Sequence, residues 1–126
     1  MAMDPATVAS IIAAAAFIVE YWEKNGGDIK CGLLTIENVN CGRGRCNEIH
    51  RALRSFDQAA KKFRDNSNAR NLATLKASAE LVRVRAEVTS KMYTSCFKTV
   101  TKGRFTTLVK TAKKILELVA LAEKAK

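Results

Sequence analysis

An all-α, antiparallel four-helix bundle is the fold this sequence predicts, and three features carry that expectation. Apolar residues recur three and four apart along three long stretches, at positions 46–63, 72–96 and 105–122. A fourth stretch near the start, Val8 to Val19, is apolar almost without interruption. Turn-formers are scarce: the 126 residues hold one proline and six glycines, five of them between positions 26 and 44, too few for a β-sandwich or barrel. A chain of this size fits one domain spanning residues 1–126 and buries roughly two-thirds of its unfolded surface without staples. With 48% hydrophobic and 27% charged residues, it is not an intrinsically disordered chain.

The first helix is expected over about residues 4–24, with Asp4 as N-cap, Pro5 at the first helical position and Asn25-Gly26-Gly27 as the stop. Its middle, Ile11 to Val19, is apolar all round, so it should be buried on most sides or oppose something greasy. Before it the only charge is Asp4, which leaves a signal peptide without its basic region. The uncharged run Ala6–Val19 makes ~21 Å of helix against ~30 Å of bilayer hydrocarbon, so a core helix is the default reading. A glycine-containing loop region, 26–44, should follow, in which Ile29, Leu33, Leu34, Ile36 and Val39 form either one short helix or an extended piece.

The second helix, about 45–64, carries the seam Cys46, Ile49, Leu53, Phe56, Ala60 and Phe63. Asp65-Asn66-Ser67-Asn68 is the next turn. The third, about 69–97, repeats the spacing at Leu72, Leu75, Ala79, Val82, Ala86, Thr89, Tyr93 and Cys96, with Leu81, Val84 and Val88 widening the stripe. Thr101-Lys102-Gly103 should close it. The fourth, about 104–123, places Phe105, Leu108, Ala112, Ile115, Val119 and Ala122 on one seam, supplemented by Val109, Leu116 and Leu118. Short turns make the last three helices successive antiparallel neighbours around a largely enclosed first one. The leader-like Met1-Ala2-Met3 and the unpunctuated end at Glu123-Lys124-Ala125-Lys126 suggest the N-terminal domain of a larger protein.

The net charge is +10, and it is unevenly placed. Residues 1–40 carry −3, five carboxylates against Lys24 and Lys30, while 41–67, 68–103 and 104–126 carry +4, +5 and +4. A basic surface beside a separable greasy element is what a domain meeting an anionic membrane should show. Gly42-Arg43-Gly44-Arg45 reads as a basic arm whose glycines would suit phosphate, but the helices lack exposed aromatics for stacking bases, so nucleic acid is not the expected partner. Catalysis is not expected either. His50 is the single histidine, and Cys46 with His50 lacks an orienting carboxylate. As a metal set, Cys31, Cys41, Cys46 and His50 have the wrong spacings for a zinc finger, so His50 should be a solvated or capping side chain and no metal or cofactor is expected. The four cysteines read as reduced thiols of a cytosolic protein, the alternative being a bridge such as Cys31 with Cys41. Tyr21 and Trp22 should pack at the bundle end, with a headgroup boundary as the other reading.

The order of these features resembles the HeLo-type four-helix domains: the N-terminal bundle of mixed-lineage-kinase-like necroptosis executioners, fungal HeLo toxins, and the coiled-coil domains of plant resistance proteins. An apolar first helix is followed by a basic, cysteine-bearing opening to the second, Arg43-Gly44-Arg45-Cys46-Asn47-Glu48-Ile49-His50-Arg51-Ala52-Leu53. The third ends in Thr94-Ser95-Cys96-Phe97, and a basic fourth carries Phe105, Leu108, Ala112, Ile115 and Leu116. The glycine-containing insertion at 26–44 departs from a tight first hairpin. The resemblance implies cell-death or immune signalling: an attached kinase or nucleotide-binding module releases the domain, which forms homo-oligomers and moves from the cytoplasm to permeabilise the plasma membrane. It would assign insertion or oligomer formation to Ile11, Ile12, Phe17 and Ile18, and anionic phospholipid headgroups to Lys61, Lys62, Arg64, Lys110, Lys113 and Lys114. A protein-binding adaptor bundle is the alternative reading, and a basic nucleic-acid binder comes third.

Overall fold

In a computed structural model, which describes residues 3–25, 39–92 and 99–124, the chain is an all-α four-helix bundle. Its helices are α1 (Pro5–Asn25), α2 (Val39–Asp65), α3 (Ala69–Met92) and α4 (Thr99–Lys124). Each packs on two neighbours in a ring, α1 on α2 and α4, and α3 on α2 and α4, so α1 and α3 occupy opposite corners of a square. Contacts between chain-distant residues fix the directions. Trp22 meets His50, Glu48 meets Arg85, and Lys76 meets Glu123, so every neighbouring pair runs antiparallel.

The helix ends follow local chemistry. Asp4 caps α1: its carboxylate accepts from the Ala6 amide (3.4 Å) and the Thr7 hydroxyl (3.0 Å), as the sequence predicted. At the turn after α2, Ser67 Oγ donates to the Phe63 carbonyl (2.7 Å), and Asn68 Oδ1 caps α3 by accepting from the Asn71 amide (2.8 Å). Asn71 Nδ2 closes the turn on the Asn66 carbonyl (2.8 Å). Three residues, 66–68, thereby join two long antiparallel helices.

The predicted seams are the core. Ile49, Leu53, Phe56 and Phe63 on α2, Leu72, Leu75, Ala79, Val82, Ala86 and Thr89 on α3, and all six predicted residues of α4 are buried. Ala60 is half-buried instead, and Ala52 and Ala59 take that side of α2. Seam positions Cys46, Tyr93 and Cys96 lie outside the residues whose side chains are described.

Several boundaries and faces differ from expectation. α2 begins at Val39, so residues 39–44 of the predicted loop are helical, glycines included. A glycine costs a helix only about 1 kcal/mol, which the long seam that follows offsets by packing. Residues 26–38, with the short element, most of the loop and Cys31, lie outside the described residues. The predicted stop at 101–103 is instead inside α4, which begins at Thr99, while residues 93–97 of the predicted third helix lie outside the described set. Leu81 and Val84 do not widen the α3 stripe but are exposed, because both α3 neighbours are met by the single seam.

The largest difference concerns α1. It is not largely enclosed: one stripe, Ile11, Ala15, Ile18 and Trp22, enters the core, and Phe17 on the outside is 51% exposed. Two neighbours cover only the side of α1 that faces them. Trp22 is buried at the bundle end, as predicted, and its Nε1 donates to His50 Nδ1 at 3.0 Å. His50 is therefore a half-buried acceptor linking α2 to α1, not a solvated side chain.

Phe63→Ala should lower stability by roughly 3–5 kcal/mol, whereas Phe17→Ser should change it by less than about 1, both read from urea denaturation midpoints. A methyl added at Gly103 meets no atom within 4 Å, so Gly103→Ala should stabilise by roughly 0.5–1 kcal/mol and raise the thermal midpoint.

Candidate functional site

The site predicted from the sequence has an apolar half on α1 and a basic half on α2 and α4. On α1 the four predicted residues divide. Ile11 and Ile18 are in the core, Ile12 is half-buried, and Phe17 stands outside, its ring stacked on Tyr21 with centroids 6.1 Å apart. Phe17 is thus the only one of the four largely exposed in the closed bundle. Ile12 would gain exposure if α1 tilted, and Ile11 and Ile18 only if it left.

A groove flanks α1 on each side. The one toward α2, about 330 Å³, is lined by Ile12, Ala15, Ala16, Val19 and Ala60 among charges of both signs: Glu20, Glu23 and Asp57 with Lys61 and Arg64. The one toward α4, about 530 Å³, is lined by Ser10, Ala13, Ala14, Phe17, Thr111, Lys114 and Leu118. Both exist because the alanine run of α1 has methyls where its neighbours have longer side chains. Reasoning from the sequence did not single out this second groove. Its one linear signal is the run Ala13–Ala16, whose meaning depends on knowing that α4 lies beside it.

The six predicted cations form two groups. Lys110, Lys113 and Lys114 sit level with the later half of α3, since Lys113 Nζ lies 3.8 Å from Glu87. Lys61, Lys62 and Arg64 precede the 66–68 turn and are level with the first turn of α3. About 17 residues of α3 separate the two levels, or about 25 Å, and α2 and α4 are at opposite corners, so the cations do not merge into one patch. They do share α1 as a neighbour, with Lys61 and Arg64 on one groove and Lys114 on the other. Some are already paired: Lys61 with Asp57 (3.0 Å), Arg64 with Asp65 (3.3 Å) and Lys113 with Glu87. Among the described residues, no carboxylate pairs with Lys62, Lys110 or Lys114, all three exposed.

Ion pairs also run along α3. Arg83 bonds Glu80 and reaches Glu87 (3.3 Å), which also meets Lys91 (3.5 Å) and Lys113. The hydrogen bond from Arg83 holds Glu80 below the usual carboxylate range, and it raises Arg83. Lys91, then Lys113 and Arg83, hold Glu87 below it too.

Gly42-Arg43-Gly44-Arg45 is not a flexible arm but the opening of α2. His50 Nδ1 is engaged by Trp22, while Cys31, Cys41 and Cys46 of the candidate metal set lie outside the residues whose side chains are described. No family model, curated protein or solved structure matches the chain.

A carboxylate whose value is lowered on folding adds stability above its unfolded value and loses it as pH falls through the folded one. Stability should therefore decline below about pH 4.5 as Glu80 and Glu87 protonate. Glu87→Gln should make that acid-side decline shallower in thermal midpoints measured across the interval, with the effect shrinking as salt is added.

Proposed function

We propose that this bundle is a non-catalytic cell-death or immune signalling domain that oligomerises and engages anionic membranes. The observation that supports this most is the setting of α1: an apolar ridge with Phe17 at its crest, bordered by lysines and arginine of both neighbours. Pro5–Lys24 is long and apolar enough, by length and composition, to cross a membrane, and only 22% of its most apolar window is buried in the bundle. At 1.5 Å per residue such a helix reaches about 30 Å, the thickness of bilayer hydrocarbon.

The physics runs in two steps. Lys62, Lys110 and Lys114, with Lys61, Lys113 and Arg64 once their ion pairs yield to phosphate, draw the domain to an anionic surface, each worth about 1 kcal/mol. Phe17 and the outward methyls of α1 then enter the headgroup boundary, and withdrawal of Ile11, Ile18 and Trp22 from the core lets the helix insert or join other copies. An attached kinase or nucleotide-binding module would gate that release at the plasma membrane. The resemblance to HeLo-type domains supports the same reading. A second reading, a protein-binding adaptor, is favoured by Leu81 and Val84, exposed on α3 at the corner opposite α1.

Vesicles containing phosphatidylserine should sediment the protein and leak. Replacing Lys110, Lys113 and Lys114 together by Gln should weaken sedimentation by about tenfold to a hundredfold, and unchanged binding would reject the headgroup assignment. Phe17→Ser should keep the helical circular dichroism signal while reducing leakage several-fold. Leakage at the wild-type level would show that the ridge has no part in it.

A further inference from the structure

The groove between α1 and α4 has a chemistry of its own, independent of whether the domain acts on bilayers. Its walls are the methyls of Ala13 and Ala14, the Phe17 ring and Leu118. Two hydroxyls line it, but both protons are committed within their own helices: Ser10 donates to the Ala6 carbonyl (3.0 Å) and Thr111 to the Thr107 carbonyl (2.9 Å). What remains for a ligand is one ammonium, Lys114, with no carboxylate among the lining residues. Lys110, one turn earlier on α4, is also exposed and adds to the positive potential. The groove beside α2 differs, since its three carboxylates and two cations favour neither sign.

We propose that the α1–α4 groove binds a fatty acid, its carboxylate on Lys114 and its chain along the apolar walls. The volume of about 530 Å³ lies within the range of sites for one small ligand. An apolar lining that carries a single cation complements a chain that carries a single anion. Neutral amphiphiles gain only the chain, and cationic ones meet Lys114. Because α1 supplies one whole wall, the ligand binds the closed bundle and not one from which α1 has left, so occupancy holds α1 down.

Thermal unfolding of the full chain by circular dichroism, with laurate below its micelle-forming concentration, tests this. At tenfold excess over its dissociation constant laurate should raise the midpoint by roughly 5 °C and saturate. Dodecyltrimethylammonium, with the same chain length, should not. Lys114→Gln should weaken laurate roughly threefold to tenfold. Ala13→Phe, at an exposed position, should fill the groove and abolish the shift, and Arg70→Gln, which removes equal charge at another corner, should leave it. No shift, a shift that does not saturate, an equal shift with the cationic amphiphile, or a shift retained in both Lys114→Gln and Ala13→Phe overturns the proposal. Vesicle sedimentation of the wild-type chain, run in parallel, separates this outcome from failure of the membrane reading.

Discussion

A square of four helices gives each member two neighbours, and two neighbours cover one side. That geometric limit governs this molecule. Helices α2, α3 and α4 conform to it, with an apolar seam inward and charges outward. α1 does not, because it is apolar around most of its circumference while only Ile11, Ala15, Ile18 and Trp22 are fully buried, with Val8, Ile12, Ala14, Val19 and Tyr21 partly so. The remaining apolar surface has to face grooves or water. Phe17 at the crest, the half-buried Ile12 and the alanine-lined channels on either side all follow from a helix whose composition exceeds what its position can bury.

Charge plays little part in holding the bundle together. Three cross-helix pairs between described residues, Lys76 with Glu123, Arg85 with Glu48 and Lys113 with Glu87, are substantially exposed, and such pairs contribute about 1 kcal/mol or less. Carboxylates are also outnumbered almost two to one, so pairing leaves a surplus of positive groups. That surplus repels itself and opposes compactness slightly, which the buried seams outweigh. It is a property of the outside, directed at whatever the outside meets.

The sequence was most readable where one constraint acted alone. The three-and-four spacing identified all six buried residues of α4 and most of those of α2 and α3, because a heptad-like seam has one geometric meaning. Glycine misled: Gly42, Gly44 and Gly103 read as breakers, yet a breaker near a helix start costs little against a long packed stretch. The burial of α1 was misjudged because hydropathy reports what a helix would prefer, not how many neighbours the topology supplies. For the same reason the division of Ile11, Ile12, Phe17 and Ile18 between inside and outside was not legible, nor was the α1–α4 groove. No linear signal couples His50 to a tryptophan 28 residues earlier, so the sequence points to a solvated or capping side chain and not to the link with α1. The basic positions were legible one by one as exposed, but their separation into two groups depends on which corners α2 and α4 occupy.

Thr89 is the one buried polar side chain among the described residues, and its hydroxyl is satisfied by the Arg85 carbonyl of its own helix. The Trp22–His50 hydrogen bond is therefore the polar link between helices in the described interior, and elsewhere in it apolar shape sets the register. An α1 contributed by another molecule would offer the same Ile11, Ala15, Ile18 and Trp22 to an identical seat, and the same indole donor to an identical imidazole. The seat is indifferent to whose helix fills it. In a fold so arranged, the monomer and an exchanged dimer differ chiefly in how far the connecting segment must reach.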